Sequence, residues 1–330
     1  MPFVKVSSGT QFHYQIPSCP DHKNPFLDPS KPTVLLLHPR LFDSYFFAPQ
    51  WRDPRLSLNY NLLAIDHHYH GKTKAKLDDS PYDFQLIAKE IIMALDKLGV
   101  SKCHVFGNSL GAPIAFRIYA QKPSLVLSMI LCGKHPPVET EENKEQYKFI
   151  RDSCFAKDDQ GRDRLASDVV HGLHYVYFGD ETGADAIIDE WAATSAFRPS
   201  NVLLITKIFS SLLDRVPLPQ STLDAITCPI LIIHGGADVP YPVQCAYDLY
   251  DALPNAKEKK LVIVENAPHF LSWTHAKDVN DAMVEFLDGL EHIDSREMVE
   301  KVASEKVGKD MDPATQSLQK KKSFWKKIVA

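Results

Sequence analysis

The stretch Cys103–Phe116, CHVFGNSLGAPIAF, passes from an apolar run into a helical pattern through Gly107, Asn108, Ser109, Leu110 and Gly111. A short apolar run that ends in glycine reads as a strand buried on both faces. The residues that follow, LGAPIAFRIYAQ, read as a helix, and Pro113 suits its first turn, where a missing N–H has no internal partner to lose. A strand that runs straight into a helix is the unit from which parallel sheets are built. The two glycines have a mechanical reason, because a tight strand-to-helix turn brings backbones together where side chains at Gly107 and Gly111 would collide. Ser109 is then held in strained geometry at the carboxyl end of a strand, the edge at which parallel sheets bind ligands.

The same alternation extends in both directions. The N-terminal MPFVKVSSGTQFHYQIP alternates around a Ser-Ser-Gly turn and reads as a hairpin, followed by a loop rich in Pro, Asp and Asn. Continuous apolar runs follow at TVLLLHP, YNLLAID, KCHVFGN and VLSMILCG. Between them lies DFQLIAKEIIMALDKLGV, where Phe84, Ile87, Ile91 and Leu95 recur at helical spacing and Gly99 stops the run. From Lys134 to Pro217 the chain turns to charged helical stretches and aromatic clusters with no clear buried strand, which predicts an insertion lying over the sheet. The alternation resumes with CPILIIHGGAD, PVQCAYDLYDALP, KKLVIVENAPH and AKDVNDAMVEFLDGL. The expected fold class is α/β, a mostly parallel central sheet flanked by helices. The expected boundaries are a core over 1–134 and 218–291, a helical cap insertion over 135–217, and a polar, basic tail over 292–330 that should be poorly ordered. No internal repeat is visible.

Composition narrows the function. At 330 residues and 44% apolar content the chain can bury one sizeable core. A formal charge of -5 and a pI near 6.3 give no overall basic surface, so a small molecule is the expected partner and nucleic acid is not. Cys19, Cys103, Cys132, Cys154, Cys228 and Cys245 have no paired spacing and read as reduced thiols of a cytoplasmic protein. Neither a signal peptide nor a membrane-spanning run is expected. In the tail, Lys320, Lys321, Lys322, Lys326 and Lys327 are interleaved with Phe324, Trp325, Ile328 and Val329. That composition suits weak contact with an anionic membrane surface, although a solvated end is the plainer reading.

A serine hydroxyl is a poor nucleophile near neutral pH and needs a base, which in turn needs an orienting acid. Asp238, after PILIIHGGAD, and His269, after LVIVENAPH, each stand just beyond an apolar strand and so at the same sheet edge as Ser109. Taken together, GNSLG, HGGAD and APHF, in that order after LLLHP, resemble the α/β-hydrolase superfamily over roughly residues 1–290. The resemblance implies a serine hydrolase with Ser109 as nucleophile, His269 as base and Asp238 as acid, and it implies no cofactor. Glu139 competes for the role of acid, since some members carry it after the preceding strand. The backbone N–H of Leu110 should supply one oxyanion donor, and that of Arg40 the second. Where the family usually reads His-Gly, this chain reads His38-Pro39-Arg40, which places the geometry of that loop in question and adds a cation that could meet a substrate carboxylate, although a solvated surface arginine is the plainer reading.

In DHHYHGKT, His68 and Tyr69 replace an arginine and a glycine of the family pattern. His67, His68 and His70 beside Asp66 invite a metal reading, but adjacent histidines without a further carboxylate or cysteine cluster favour a structural or substrate-lining loop. The expectation is therefore no metal. Aromatic residues in LFDSYFF and in the insertion are the candidate substrate contacts, with Phe42, Tyr45, Tyr175 and Trp191 foremost. Ester, thioester or lactone hydrolysis is the leading reading, since serine at the elbow argues against relatives that use an aspartate nucleophile. C–C bond hydrolysis, acyl transfer or a lyase-type activity with the same residues, and a receptor-like or scaffold protein with slow turnover, are the alternatives. Oligomeric state is left open.

Overall fold

The computed structural model describes residues 2–79, 82–133 and 136–290. The predicted tail, 292–330, lies outside the described residues. By its internal contacts the chain forms one unit over Met1–Met283 and a second from Val284, which is described only over 284–290, where it is helical.

Eight strands form one sheet in the order β1-β2-β4-β3-β5-β6-β7-β8. They are β1 (Phe3–Lys5), β2 (Gln11–Gln15), β3 (Thr33–Leu37), β4 (Asn61–Ile65), β5 (Cys103–Asn108), β6 (Val126–Cys132), β7 (Ile230–Gly235) and β8 (Lys259–Val264). The hairpin β1/β2 joins β4 in antiparallel pairing, and all other neighbours are parallel. The α/β class follows, with β3, β4 and β5 buried along their whole length, as their unbroken apolar runs require.

Helices α1 (Phe84–Lys97) and α2 (Gly111–Gln121) pack together on the sheet. Asp83 caps α1 by accepting the Gln85 N–H at 2.7 Å, and Gly99, with φ of 78°, ends it. Between β6 and β7 lie α3 (Glu141–Ser153), α4 (Ser167–Phe178), α5 (Asp185–Thr194) and α6 (Val202–Leu213), with no strand among the described residues of that segment. Helix α7 (Gln244–Asp251) connects β7 to β8. No helix among the described residues is long and apolar enough to cross a membrane.

Strand order sets the site. The chain leaves β3 for β4 on one side and returns to β5 on the other, so the carboxyl ends of β3 and β5 form the crevice where the winding reverses. The registers Leu37 to Gly107, Asn108 to Cys132 and Gly235 to Val264 bring the ends of these strands to one edge. The loops that follow carry Arg40, Ser109, Asp238 and His269.

Candidate active site

Ser109 occupies the turn from β5 to α2 with φ of 49°, a left-handed conformation that strains an L-residue. Its N–H donates to the Cys132 carbonyl at 2.8 Å and ties the turn to β6. Glycine is required on both sides, because a Cβ at Gly107 would stand 2.7 Å from the Gly111 backbone and one at Gly111 only 2.1 Å from the Leu37 carbonyl oxygen.

The Ser109 Oγ lies 2.9 Å from His269 Nε2, and His269 Nδ1 lies 2.7 Å from Asp238 Oδ2. An ionised carboxylate only accepts, so Nδ1 carries the imidazole proton and Nε2 is left to accept the serine O–H. All three side chains are buried, which strengthens each of these interactions over its value in water. Asp238 is itself oriented, since its Oδ1 accepts the Tyr241 N–H at 3.0 Å. Burial lowers the His234 pKa, and this neutral ring donates from Nε2 to the Tyr241 carbonyl at 2.9 Å, bracing the same turn. Glu139 does not reach His269. It pairs with Arg215 at 2.9 Å and accepts the Tyr241 hydroxyl at 2.9 Å.

Leu110 heads α2, and Arg40 follows β3. Among the described residues neither backbone N–H donates a hydrogen bond, so both stay available to an oxygen at this edge. The β3 loop is shaped from below by histidines. His38 donates from Nδ1 to the Pro39 carbonyl at 2.8 Å and accepts the His67 N–H at Nε2 at 2.9 Å. Leu41 then takes φ of 78°, a non-glycine residue in the left-handed region, which turns the chain toward Phe42.

His67 donates to the His38 carbonyl at 3.1 Å and His70 to the His68 carbonyl at 2.7 Å, so each ring spends its proton on backbone. No group of three or more His, Cys, Asp or Glu among the described residues is arranged to hold a metal ion. Burial lowers the His67 pKa well below the usual imidazole value and that of His70 to about 3. Unfolded, both rings bind a proton below about 6.5, so stability is lost as pH falls from about 6.5 toward 3, at up to about 1.4 kcal/mol per pH unit for each ring. His70→Asn, which keeps a donor for the His68 carbonyl, should flatten the fall of the thermal midpoint between about pH 6.5 and 4. An unchanged slope in that variant would contradict a neutral His70.

Phe42, Tyr45 and Trp191 line a cavity of about 560 Å³, whose lining also includes the apolar Phe46, Phe197 and Ile208 and the polar Asp43, His70, Lys72 and Glu190, but not Ser109, Asp238 or His269. Tyr175 stands apart, 54% exposed on α4 and outside this lining. Its neighbour Tyr177, two residues on and so on another face of the helix, turns inward. Tyr177 stacks on Phe270 with ring centroids 4.7 Å apart and stands 5.9 Å from the His269 ring. Sequence reading passed over His234, Tyr147 and Tyr241. A histidine inside the apolar run ILIIHG was the only signal for any of them.

A serine at the winding reversal of a mostly parallel sheet, joined through histidine to an aspartate two strands away, defines an α/β-hydrolase enzyme. The chain belongs to that family, since residues 32–276 match the family described as "alpha/beta hydrolase fold". Among curated relatives, "Putative carbamate hydrolase RutD" of Stutzerimonas stutzeri is 25% identical over 269 residues, spanning 79% of this chain and 93% of that protein. Among solved structures, an esterase from Thermogutta terrifontis superposes with a TM-score of 0.68 at 16% identity, over 88% of this chain and 99% of its own. The enol-lactonase from Burkholderia xenovorans LB400 gives a TM-score of 0.68 at 17% identity, over 87% and 100%.

Proposed function

We propose that this enzyme hydrolyses an ester, thioester or lactone of a small, mainly apolar molecule through an acyl-enzyme on Ser109. The observation that carries the reading is the hydrogen-bonded run Ser109–His269–Asp238, at 2.9 and 2.7 Å, beside two unengaged backbone N–H groups. His269 Nε2 takes the Ser109 proton as Oγ attacks the carbonyl carbon, and Asp238 stabilises the imidazolium that forms. The Leu110 and Arg40 N–H groups receive the oxyanion. His269 then returns the proton to the leaving alcohol or thiol, and a water activated by the same base releases the acid. The segment that carries α3 to α6 acts as a cap, and the 560 Å³ cavity, lined by Phe42 of the core and Trp191 of α5, houses the apolar group. The reactions named for the esterase and the enol-lactonase among the structural neighbours, and for the putative carbamate hydrolase among the relatives, are compatible with this machinery.

A fluorophosphonate probe tests the reading directly. Intact-mass analysis should show one adduct, and peptide mapping should put it on Ser109. Folded protein that stays unlabelled, or is labelled elsewhere, would sink the proposal.

A further inference from the structure

We infer that Arg40 binds a carboxylate of the substrate, so that the molecule cleaved at Ser109 is an anionic ester, thioester or lactone; the inference rests on the hydrolase reading above. Arg40 is only 4% exposed. Its guanidinium carbon lies 4.8 Å from the Phe209 ring centroid, 5.1 Å from that of Tyr147 and 5.7 Å from that of Tyr177. One terminal nitrogen, Nη2, donates to the Tyr177 hydroxyl. The other, Nη1, is buried without a hydrogen-bond partner. Among the described residues no carboxylate lies within ion-pair distance of this side chain, and nearby Glu139 is already engaged by Arg215 and Tyr241. Aromatic faces soften the cost of burying the cation, but they accept no conventional hydrogen bond from Nη1.

Two other arginines with buried side chains, Arg117 on α2 and Arg215 after α6, show what a completed site looks like. Arg117 donates to the Pro113 and Val216 carbonyls at 3.0 and 2.6 Å, and Arg215 to the Pro137 carbonyl and to Glu139, each at 2.9 Å. Arg40 is the exception, and it stands on the loop that should bind the oxyanion. The Tyr177 hydroxyl accepts from Arg40, yet its own proton has no acceptor among the described residues. An N–H and an O–H on adjacent groups are therefore both unspent, and together they carry one positive charge. A carboxylate satisfies both and cancels that charge, whereas a phosphate dianion would leave a surplus charge buried. Tyr177 also fixes the distance to the chemistry, because its ring bridges Arg40 and the His269 ring, 5.9 Å away. The cavity of mixed lining is linked to this point through two aromatic contacts, since its lining residue Phe197 packs 6.2 Å from Phe209, the ring beneath the guanidinium. The substrate accordingly combines an apolar portion with a carboxylate a short chain from the scissile carbonyl.

Binding to the Ser109→Ala protein tests this without turnover. By calorimetry, monomethyl glutarate should bind more tightly than neutral dimethyl glutarate by about 10- to 100-fold, the ratio that a charge-assisted hydrogen bond supports. Adding Arg40→Gln should erase that preference, with folding checked by circular dichroism. Tyr177→Phe, which removes a proton but no charge, should reduce it by less and keeps the test open if the arginine variant does not fold. Equal affinities, binding of neither ester, or a preference that survives Arg40→Gln would overturn the inference. A wild-type protein that selects the carboxylate yet ignores the fluorophosphonate would instead retain the anion site and discard the hydrolase reading.

Discussion

Ser109→Ala is expected to lower kcat on any ester the wild type turns over by on the order of 10⁶, the scale on which a serine nucleophile is missed when its base and oxyanion donors remain. The variant removes the one oxygen that His269 Nε2 meets within hydrogen-bond distance among the described residues, at 2.9 Å in the intact protein. Folding should survive. The left-handed φ of 49° is as accessible to alanine as to serine, and the Ser109 N–H bond to Cys132 is a backbone contact that the substitution keeps. A thermal midpoint near that of the wild type, combined with loss of turnover, separates the chemical role from a structural one. Steady-state assays with the purified variant, freed of contaminating esterase by a fluorophosphonate quench, are the measurement. A loss of less than about 10² would move the nucleophile elsewhere.

What the sequence made legible follows from the range over which each feature is determined. The parallel strands were readable because burial on both faces writes itself as an unbroken apolar run, as in TVLLL and NLLAI. Ser109 was readable because the close approach of Gly107 to the Gly111 backbone, four positions on, forbids a side chain there, and that prohibition is local. Asp238 and His269 were readable as polar residues directly after such runs. Contacts made across long separations left no comparable trace. Arg40 meets Tyr177 137 positions away, and Glu139 meets Arg215 76 positions away. Helical periodicity identifies which face of α4 is buried, but not what lies opposite, so the expectation fell on Tyr175, which is exposed, whereas packing turns Tyr177 toward His269. Similarly, the hairpin was local, whereas the pairing of β2 with β4 that adds it to the sheet was not.

Asp238→Asn should cost about 10⁴ in kcat while leaving the fold and the site's shape nearly intact. The loss arises from the tautomer. Asparagine can still meet His269 Nδ1 at 2.7 Å, but once its amide donates there, the imidazole proton moves to Nε2, the atom that must accept from Ser109. The variant also forfeits the charge that steadies the imidazolium. The Tyr241 N–H that now donates to Asp238 Oδ1 at 3.0 Å competes for the amide oxygen and so favours that unproductive orientation. Glu139→Gln supplies the contrast. It removes the buried partner of Arg215, so the thermal midpoint should fall, yet kcat should change by less than about tenfold, because Glu139 makes no contact with His269. Measuring kcat and the thermal midpoint for both variants therefore gives a crossed result, with one catalytic and one structural deficit. The opposite assignment, a deep kcat loss in Glu139→Gln and a mild one in Asp238→Asn, would transfer the acid to the segment after β6 and leave the 2.7 Å contact of Asp238 with His269 without a catalytic role.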